Sequence, residues 1–213
     1  MTTPVAKPFI DERASAQLAR ATAPRRALFL DRDGVINVDH GYAHRPDQVE
    51  WVPGIFALCR AAIDAGFLPI VVTNQAGIAR GFYDEAQFLA FTRWIHEEFA
   101  RRGAPLLATY YCPHHPDAGL GAYKVACDCR KPAPGMFRAA LREFDLDAAS
   151  SWMVGDKPGD IEAARAAGVG HAILLAAGTD ASGVAGAAIA ATLDEARAMI
   201  VPTQMPGRTP CGG

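Results

Sequence analysis

The stretch ALFLDRDGVIN, residues 27–37, sets a wholly apolar run directly before two carboxylates. Four consecutive apolar residues that stop at charged ones are typical of a strand buried on both faces, as in a parallel sheet. In an extended segment residues two apart point the same way, so Asp31 and Asp33 would share one side and Arg32 the other. Two carboxylates this close repel each other unless a cation or a shared proton lies between them. Alone the pair is a weak signal, because polar turns that end strands also contain such residues.

Four later apolar runs have the same character, and helical patterns separate them along the chain. The runs are FLPIVVT (67–73), LLATYY (106–111), SWMV (151–154) and HAILL (171–175). Helical patterns cover residues 11–21, 55–65, 134–144, 161–167 and 193–200, and one more begins after Asp84 and ends before Gly103. This alternation predicts right-handed βαβ units, and thus an α/β fold with a doubly wound, Rossmann-like parallel sheet. Ligands bind such sheets at the carboxyl ends of the strands, so the residues after each run are site candidates.

The composition is that of a soluble globular protein, since half of the 213 residues are hydrophobic and about a fifth are charged. The net charge of −2, from 21 basic and 23 acidic residues, indicates neither a nucleic-acid binder nor a membrane-surface protein. The N-terminal residues lack the apolar region of a signal peptide, and no stretch approaches the ~18 to 20 apolar residues of a transmembrane helix. We therefore expect a cytoplasmic protein whose five cysteines are reduced.

The organisation predicted along the chain is a single domain with two flanking segments. Residues 1–24 form an N-terminal extension with a short helical pattern, residues 25–202 form the domain, and residues 203–213 form a flexible C-terminal tail. A domain of this length can bury one full core. No long amphipathic or heptad segment indicates a partner chain, so we expect a monomer.

Polar side chains follow two other predicted strands. The second run ends in Thr-Asn-Gln (residues 73–75), and GDKPGD (residues 155–160) follows the fourth. Asp156 would equally serve as the N-cap of the next helix, and Asp160 is either a solvated acid of the first helical turn or a partner that supports a metal site. Together these strand ends hold the groups that phosphoryl transfer needs: a carboxylate nucleophile, a second carboxylic acid, a hydroxyl and carboxylates for Mg²⁺.

Three cysteines and two histidines fall within YYCPHHPDAGLGAYKVACDCRKP, residues 110–132. A Cys-x-His pair, twelve residues and a Cys-x-Cys pair match the tetrahedral Cys₃His set of structural zinc. The four ligands are Cys112, His114, Cys127 and Cys129. Scattered buried cysteines would behave as small hydrophobes, but two tight pairs favour a metal. All four zinc positions are filled, which argues against a catalytic zinc with an open position. His115 is left either as a loop residue or as one that supports the metal site without binding the metal.

The zinc-stapled loop leads directly into Arg130 and Lys131. A loop that contains proline and glycine would be mobile alone, and closing it on zinc would fix the backbone just before these two cations. Zinc would then pre-organise the substrate-binding cations without touching phosphate.

In order along the chain, FLDRDGVIN, VVTNQAG, CDCRKP and MVGDKPGD resemble the four motifs of the haloacid dehalogenase (HAD) superfamily of phosphatases. More narrowly, residues 26–176 resemble the D-glycero-D-manno-heptose 1,7-bisphosphate 7-phosphatase family. The resemblance implies a phosphoric monoester hydrolase that needs Mg²⁺ and acts on a small sugar bisphosphate through an aspartyl phosphate. It would remove the 7-phosphate in the biosynthesis of nucleotide-activated heptose, for the lipopolysaccharide core or a related glycan.

The resemblance also implies roles for single residues. Asp31 would be the nucleophile and Asp33 the general acid and base. Thr73 and Lys131 would hold the transferring phosphoryl group, and Arg130 would recognise the substrate.

Two metals follow from the resemblance as well. Mg²⁺ would be held by Asp31, Asp156 and the backbone carbonyl of Asp33, and zinc by the Cys₃His set with His114 as its histidine. The family often has threonine where this chain has Val35, but none of these roles depends on that hydroxyl.

A large cap domain is absent from the predicted pattern, so loops must supply substrate selectivity. Two loops just beyond catalytic strand ends, residues 37–46 and 74–81, carry polar groups suited to a sugar. The candidate substrate-binding residues are Asp39, His40, Gly41, Tyr42, Thr73, Asn74, Gln75, Ala76, Arg130 and Lys131. Histidinol-phosphate phosphatases share the zinc spacing and CDCRKP but typically differ in these loops, and they are the first alternative. The second is a non-catalytic, zinc-stapled binding module, against which the intact catalytic set argues.

Overall fold

Seven strands form one sheet in the computed structural model, which describes residues 6–176 and 186–202. The strands are β1 (Phe9–Ile10), β2 (Arg26–Leu30), β3 (Phe67–Asn74), β4 (Ala108–Cys112), β5 (Trp152–Gly155), β6 (His171–Leu175) and β7 (Ala188–Ala190). Their spatial order is β1-β4-β3-β2-β5-β6-β7, with β2 to β7 parallel and β1 antiparallel to β4. The prediction of a doubly wound parallel sheet is confirmed, and β2 lies at the middle of it.

Helices connect the parallel strands, as the sequence pattern predicts. They are α1 (Ala14–Arg20), α2 (Ile55–Asp64), α3 (Ala76–Ala79), α4 (Glu85–Arg101), α5 (Gly135–Phe144), α6 (Pro158–Ala166) and α7 (Leu193–Ile200). Asp84 caps α4 through a 2.7 Å bond from the N–H of Gln87, and Thr192 caps α7. Helix α6 begins three residues before the predicted pattern, because Pro158 suits a first helical turn and Asp160 bonds the N–H of Lys157. Among the helices described, none is long and apolar enough to cross a membrane.

Apolar side chains cover both faces of the sheet. In β2, Ala27 and Phe29 pack into one core cluster with α5 and α6, and Leu28 and Leu30 pack into the other with α2, α4 and α7. All four side chains are fully buried, which confirms the prediction of a strand enclosed on both faces. Burying one leucine or phenylalanine side chain contributes roughly 1.5 to 3 kcal/mol. The core therefore holds rigidly the strand that ends at Asp31.

The N-terminal segment packs on the sheet from Ala6 onward. Phe9 and Ile10 pair with β4, and α1 packs Leu18 against the core. Asp11 accepts a hydrogen bond from His96 Nδ1 at 3.0 Å, and Thr109 lies 2.9 Å from His96 Nε2. The segment predicted as an extension thus supplies the edge strand of the sheet. The predicted flexible tail, residues 203–213, lies outside the described residues.

Candidate active site

Asp31 lies directly after β2, and its carboxylate is almost fully buried. The Lys131 ammonium lies 2.9 Å from its Oδ1, and the backbone N–H of Arg32 donates to the same oxygen at 2.7 Å. Both contacts fall on Oδ1, which leaves Oδ2 for a ligand or a reacting atom. Burial raises the pKa of Asp31 to about 7, with Lys131 opposing the rise and the carboxylates of Asp160 and Asp33 adding to it. A second cation at this carboxylate would favour its charged form.

Lys131 is a buried cation surrounded by oxygen atoms. Its Nζ lies 2.6 Å from Asp160 Oδ1 and donates to the carbonyl of Val72 at 2.8 Å. Burial favours the neutral amine, but Asp31 and Asp160 outweigh it and raise the pKa of Lys131. Asn74 fixes the backbone of Lys131 through two reciprocal hydrogen bonds, each 3.0 Å long. The ammonium is therefore held beside Asp31 by both its side chain and its backbone.

Three acids, Asp31, Asp156 and Asp160, form what we call the carboxylate cluster, with one oxygen of each within 4.8 Å of the others. Asp160 is already engaged, because its Oδ1 contacts Lys131 and its Oδ2 accepts the N–H of Lys157 at 3.1 Å. Asp156 Oδ1 is buried and has no hydrogen-bond partner among the residues that the structure describes, and burial raises the pKa of Asp156. A buried carboxylate oxygen of this kind costs free energy unless a cation binds it. The donor set therefore fits Mg²⁺, with Asp31 and Asp156 as the available ligands.

Two glycines make room for the carboxylate cluster. Gly34 has a φ of +93°, and a Cβ there would lie 2.3 Å from Asp156 Oδ2. A Cβ on Gly155 would lie 2.3 Å from the Cβ of Asp160. Both contacts are too short for any other residue, so the close approach of the two loops depends on glycine.

Asp33 lies beside the cluster and is held by three side chains. Arg32 Nη2 lies 2.9 Å from both of its carboxylate oxygens, Asn37 Nδ2 donates to Oδ1 at 3.1 Å, and Gln75 Nε2 donates to Oδ2 at 3.3 Å. The expectation that Arg32 points away from the carboxylates is therefore wrong. The strand alternation has ended here, because the Arg32 carbonyl accepts the N–H of Ile36 at 2.8 Å and closes a turn.

Thr73 reaches the site from β3 and is oriented by Gln75. Gln75 Nε2 donates to Thr73 Oγ1 at 2.8 Å, and the hydroxyl of Tyr83 donates to Gln75 Oε1 at 2.6 Å. Gly77 permits this arrangement, because a Cβ there would lie 2.3 Å from the ring of Tyr83. Gln75 is buried with both ends of its amide engaged, so the contacts seen here orient Thr73 and Asp33.

The cavity at these strand ends has a volume of about 410 Å³. Its lining includes ten of the predicted site residues: Asp31, Asp33, Asp39, Gly41, Tyr42, Thr73, Asn74, Gln75, Ala76 and Lys131. Two of the predicted substrate-binding residues lie elsewhere: His40 Nε2 lies 2.9 Å from Glu50, and Arg130 donates to the carbonyl of His114 at 3.2 Å. In this arrangement Arg130 closes the cysteine loop and does not face the cavity.

Lys157 lines the cavity although the sequence analysis does not single it out. Its Nζ lies 3.1 Å from Asp39 Oδ2 and 3.5 Å from Asp156 Oδ2. Burial alone would raise the pKa of Asp39, but the hydrogen bond from Lys157 lowers it. The ion pair joins the loop after β2 to the loop after β5, a contact between residues 118 positions apart. The only signal in the sequence is the position of Lys157 directly after Asp156.

Four side chains, Cys112, His114, Cys127 and Cys129, form the cysteine cluster, with one ligand atom of each within 4.8 Å of the others. The sulfur atoms lie 3.2 to 3.5 Å apart, and His114 Nδ1 lies 3.4 Å from Cys129 Sγ. Three sulfur atoms and one ring nitrogen are the donor set that tetrahedral zinc prefers. His115 is turned away, because its Nδ1 accepts the N–H groups of the loop at residues 117 and 118. The residues brought together are the predicted set, and they fit zinc.

A family model described as HAD-hydrolase-like matches residues 128–198. A protein from Vibrio cholerae is 51% identical over 152 residues, which cover 71% of this chain and 82% of the relative, and is called a D-glycero-beta-D-manno-heptose-1,7-bisphosphate 7-phosphatase. A protein from Burkholderia mallei is 52% identical over 165 residues, covering 78% of this chain and 87% of the relative, and is called the corresponding alpha-heptose phosphatase.

A solved structure is also similar over most of the chain. It is the D,D-heptose 1,7-bisphosphate phosphatase of B. bronchiseptica, complexed with magnesium and phosphate. It matches with a TM-score of 0.69 and 31% identity, over 82% of this chain and 97% of that one.

Proposed function

Because the chain belongs to the D-glycero-D-manno-heptose 1,7-bisphosphate 7-phosphatase family of HAD-like phosphoric monoester hydrolases, we propose that it removes the 7-phosphate of that sugar through an aspartyl phosphate on Asp31. The observation that carries this mechanism is the environment of the Asp31 carboxylate. A buried ammonium and a backbone N–H hold Oδ1, and Oδ2 remains available at a cavity of about 410 Å³. A positioned carboxylate of this kind can attack phosphorus.

The first step forms a bond between an Asp31 oxygen and phosphorus and breaks the bond from phosphorus to the sugar oxygen. Lys131 and the Thr73 hydroxyl are the groups that can bind the transferring oxygens, since both line the cavity. Asp33 as the acid gives its proton to the leaving sugar oxygen. In the second step the Asp33 carboxylate takes a proton from water, which attacks the aspartyl phosphate and restores Asp31.

Asp31, Asp156 and the backbone carbonyl of Asp33 would hold Mg²⁺, which would neutralise charge on the carboxylate and the phosphoryl group. The unpartnered oxygen of Asp156 supports this binding site. We propose zinc for the cysteine cluster, where its role is to hold the loop that ends in Arg130 and Lys131. Arg130 Nη1 bonds the carbonyl of the ligand His114, which ties this cation to the loop.

The substrate is selected by loops, because the described residues form no second domain over the sheet. Asp39, Gly41 and Tyr42 line the cavity from one loop and Asn74 and Ala76 from the other. We further propose that the enzyme acts as a cytoplasmic monomer and that its product is used for nucleotide-activated heptose. The relatives include enzymes for either anomer, so anomer preference is open to the same test as the substrate itself.

The test is phosphate release from a panel of esters, measured with and without Mg²⁺. The panel contains both anomers of the heptose 1,7-bisphosphate and histidinol phosphate, and the product is identified by nuclear magnetic resonance. We expect one phosphate per heptose bisphosphate, with the phosphate at C1 retained. A higher kcat/KM for histidinol phosphate would assign the chain to the alternative substrate. If none of the esters is hydrolysed although Mg²⁺ is demonstrably bound, the result would favour the non-catalytic module.

A further inference from the structure

Arg32 is a charged side chain enclosed in the protein interior. It is only 2% exposed and lies against the rings of Phe88 and Phe91, with its guanidinium carbon 5.9 and 5.4 Å from their centroids. Its Nη1 has no hydrogen-bond partner among the described residues. Burying a charge with an unpaired donor is costly, and apolar residues of similar volume would stabilise the fold equally well or better. Stability therefore does not account for arginine at this position.

The bonds of Arg32 converge on one carboxylate. Its Nε lies 3.1 Å from Asp33 Oδ1, and its Nη2 lies 2.9 Å from both Oδ1 and Oδ2. A planar fork that contacts both oxygens fixes the rotation of the carboxylate as well as its position. Asn37 bonds Oδ1 and Gln75 bonds Oδ2, at longer distances than Arg32 Nη2, and neither side chain by itself contacts both oxygens.

The same guanidinium also contacts a substrate loop. Arg32 Nη2 donates to the carbonyl of Ala43 at 2.8 Å, within the loop that brings Asp39 and Tyr42 to the cavity. Ala43 is buried. Tyr42 before it has a φ of +54°, a backbone conformation that residues other than glycine adopt at a cost in free energy. One nitrogen thus bridges the loop that faces the sugar and the acid that faces the leaving oxygen.

We propose that Arg32 is a positioning residue, which aligns the Asp33 carboxyl group with the leaving sugar oxygen and links that alignment to the loop of residues 39–43. The inference rests on the proposed function, in which Asp33 gives its proton to the leaving group. Arg32 touches neither phosphate nor metal in this role, and it affects the chemical step through Asp33. Its replacement should matter for a leaving group that needs a proton and should matter little for one that does not.

The experiment is a double-mutant cycle of Arg32→Lys with Asp33→Asn, measured by single-turnover kinetics in Mg²⁺. Lysine keeps the charge but cannot form the planar fork. With the sugar bisphosphate we expect Arg32→Lys to slow the first step about 10- to 100-fold, which is part of the roughly 10²- to 10⁴-fold that general-acid catalysis contributes. In the Asp33→Asn background, Arg32→Lys should slow the first step by less than about twofold more, because the amide at position 33 cannot act as the acid that Arg32 positions.

A second substrate separates positioning from a structural role. p-Nitrophenyl phosphate has a leaving group that departs without a proton, so the burst of p-nitrophenol reports the first step alone. We expect that burst rate to change less than about threefold in Arg32→Lys, since the chemical need for an acid is absent. An equal loss with both substrates, or an equal loss in both backgrounds, would overturn the proposal.

The controls separate this inference from the proposed function. Arg197→Lys changes an arginine that forms an exposed ion pair with Asp194 on α7, and it should behave as wild type. If Asp33→Asn alone leaves sugar turnover unchanged, the assignment of Asp33 fails and the proposed mechanism with it. If Asp33→Asn is impaired and Arg32→Lys is not, only the positioning role fails. Arg32→Gln serves as a second variant, and loss of the folded state in both variants would assign Arg32 to the fold and overturn the proposal.

Discussion

The carboxylate cluster and the cysteine cluster both lie at the carboxyl ends of the strands, yet they are built in opposite ways. The carboxylate cluster borders a cavity of about 410 Å³, contains the ion pair of Asp31 with Lys131, and leaves one buried oxygen of Asp156 without a partner. The cysteine cluster is closed, with four soft ligand atoms that contact one another.

The difference suggests that the carboxylate cluster suits a reaction and that the cysteine cluster suits a structural metal. Oxygen ligands around a partly open position suit Mg²⁺ and a reacting phosphate, whereas three sulfur atoms and a nitrogen complete a zinc tetrahedron. Residues 129–131 connect the two, because the last cysteine precedes Arg130 and Lys131 directly. We therefore expect changes in the open cluster to abolish turnover and changes in the closed cluster to weaken it.

The largest effect should come from Asp31, the proposed nucleophile. Asp31→Asn should reduce turnover of the heptose bisphosphate below detection, because an amide cannot form the aspartyl phosphate. Circular dichroism and thermal unfolding should show an intact fold. Asp194→Asn, an exposed acid on α7, is the matched control and should keep wild-type activity. An active Asn variant whose mass excludes deamidation would remove Asp31 from the mechanism.

Replacing the proposed metal of the open cluster should have the next largest effect. Ca²⁺ takes six to eight oxygen ligands at longer distances than Mg²⁺, so it could occupy both oxygens of Asp31 and leave none to attack. We expect activity in Mg²⁺ and at least about a hundredfold lower activity in Ca²⁺ alone. A loss of this size is comparable to that from removing one general acid or base. Titrating Mg²⁺ into the Ca²⁺-loaded enzyme should restore the rate. Full activity in Ca²⁺ would mean that the metal does not constrain Asp31 in this way.

A smaller effect is expected at the closed cluster. Cys127→Ser should release one zinc per chain and lower kcat/KM about 10- to 100-fold, the usual range for residues that support a metal or reactive group from outside. The fold should survive, since Cys127 is only partly buried and packs against a core cluster whose other members lie mainly in the strands and helices. Far-ultraviolet circular dichroism should therefore stay nearly unchanged.

Metal analysis by mass spectrometry at saturating Mg²⁺ completes that measurement. Cys59→Ala is the matched control, because Cys59 is buried in the core and lies outside the cluster. It should keep its zinc and its kcat/KM. A zinc-free Cys127→Ser enzyme with wild-type kcat/KM would show that the closed cluster does not organise the open one.

The smallest effect on activity should come from a buried pair remote from both clusters. Burial lowers the pKa of His96 below 6.5, although Asp11 opposes this. Burial alone would raise the pKa of Asp11, but hydrogen bonds from His96 and Arg13 bring it to about 2 from an ordinary 3.8. Both folded-state pKa values lie below those of the unfolded chain, so the unfolded state takes up protons first. The free energy of unfolding should fall as the pH drops below 6.5, and fall further below 3.8.

Urea unfolding at several pH values measures how the free energy of unfolding depends on pH, and activity is assayed separately at pH 7.5. His96→Gln should lower the free energy of unfolding by about 1 to 3 kcal/mol at neutral pH and flatten its dependence on pH. Activity at 25 °C should remain near wild type. His171→Gln, at an exposed histidine stacked on Trp152, is the matched control for the substitution and should keep the wild-type free energy of unfolding at neutral pH. An unchanged slope in His96→Gln would place the acid sensitivity elsewhere.

Much of this molecule follows from local patterns in the chain. The apolar run of residues 27–30 predicts a strand that is buried on both faces, and the structure buries all four side chains. Asp84 and Thr192 cap the two helices that the sequence pattern predicts to begin just after them. The cysteine cluster was predictable because two ligand pairs at short spacing have few other uses.

The sequence by itself determined the class of fold, the polar strand ends and the set of side chains that could bind metal, because those depend on period, composition and spacing. Only the tertiary structure decided which of these groups meet. Arg32 turns onto Asp33 because the chain leaves the strand there, and Lys157 reaches Asp39 across 118 positions of sequence. Arg130 donates a hydrogen bond to the cysteine loop, and Gln75 donates one to Thr73. The sequence predicts both side chains as substrate-binding groups and contains no sign of these contacts. Such contacts depend on how loops from separate strands are oriented once the core has packed, and no local pattern contains that information.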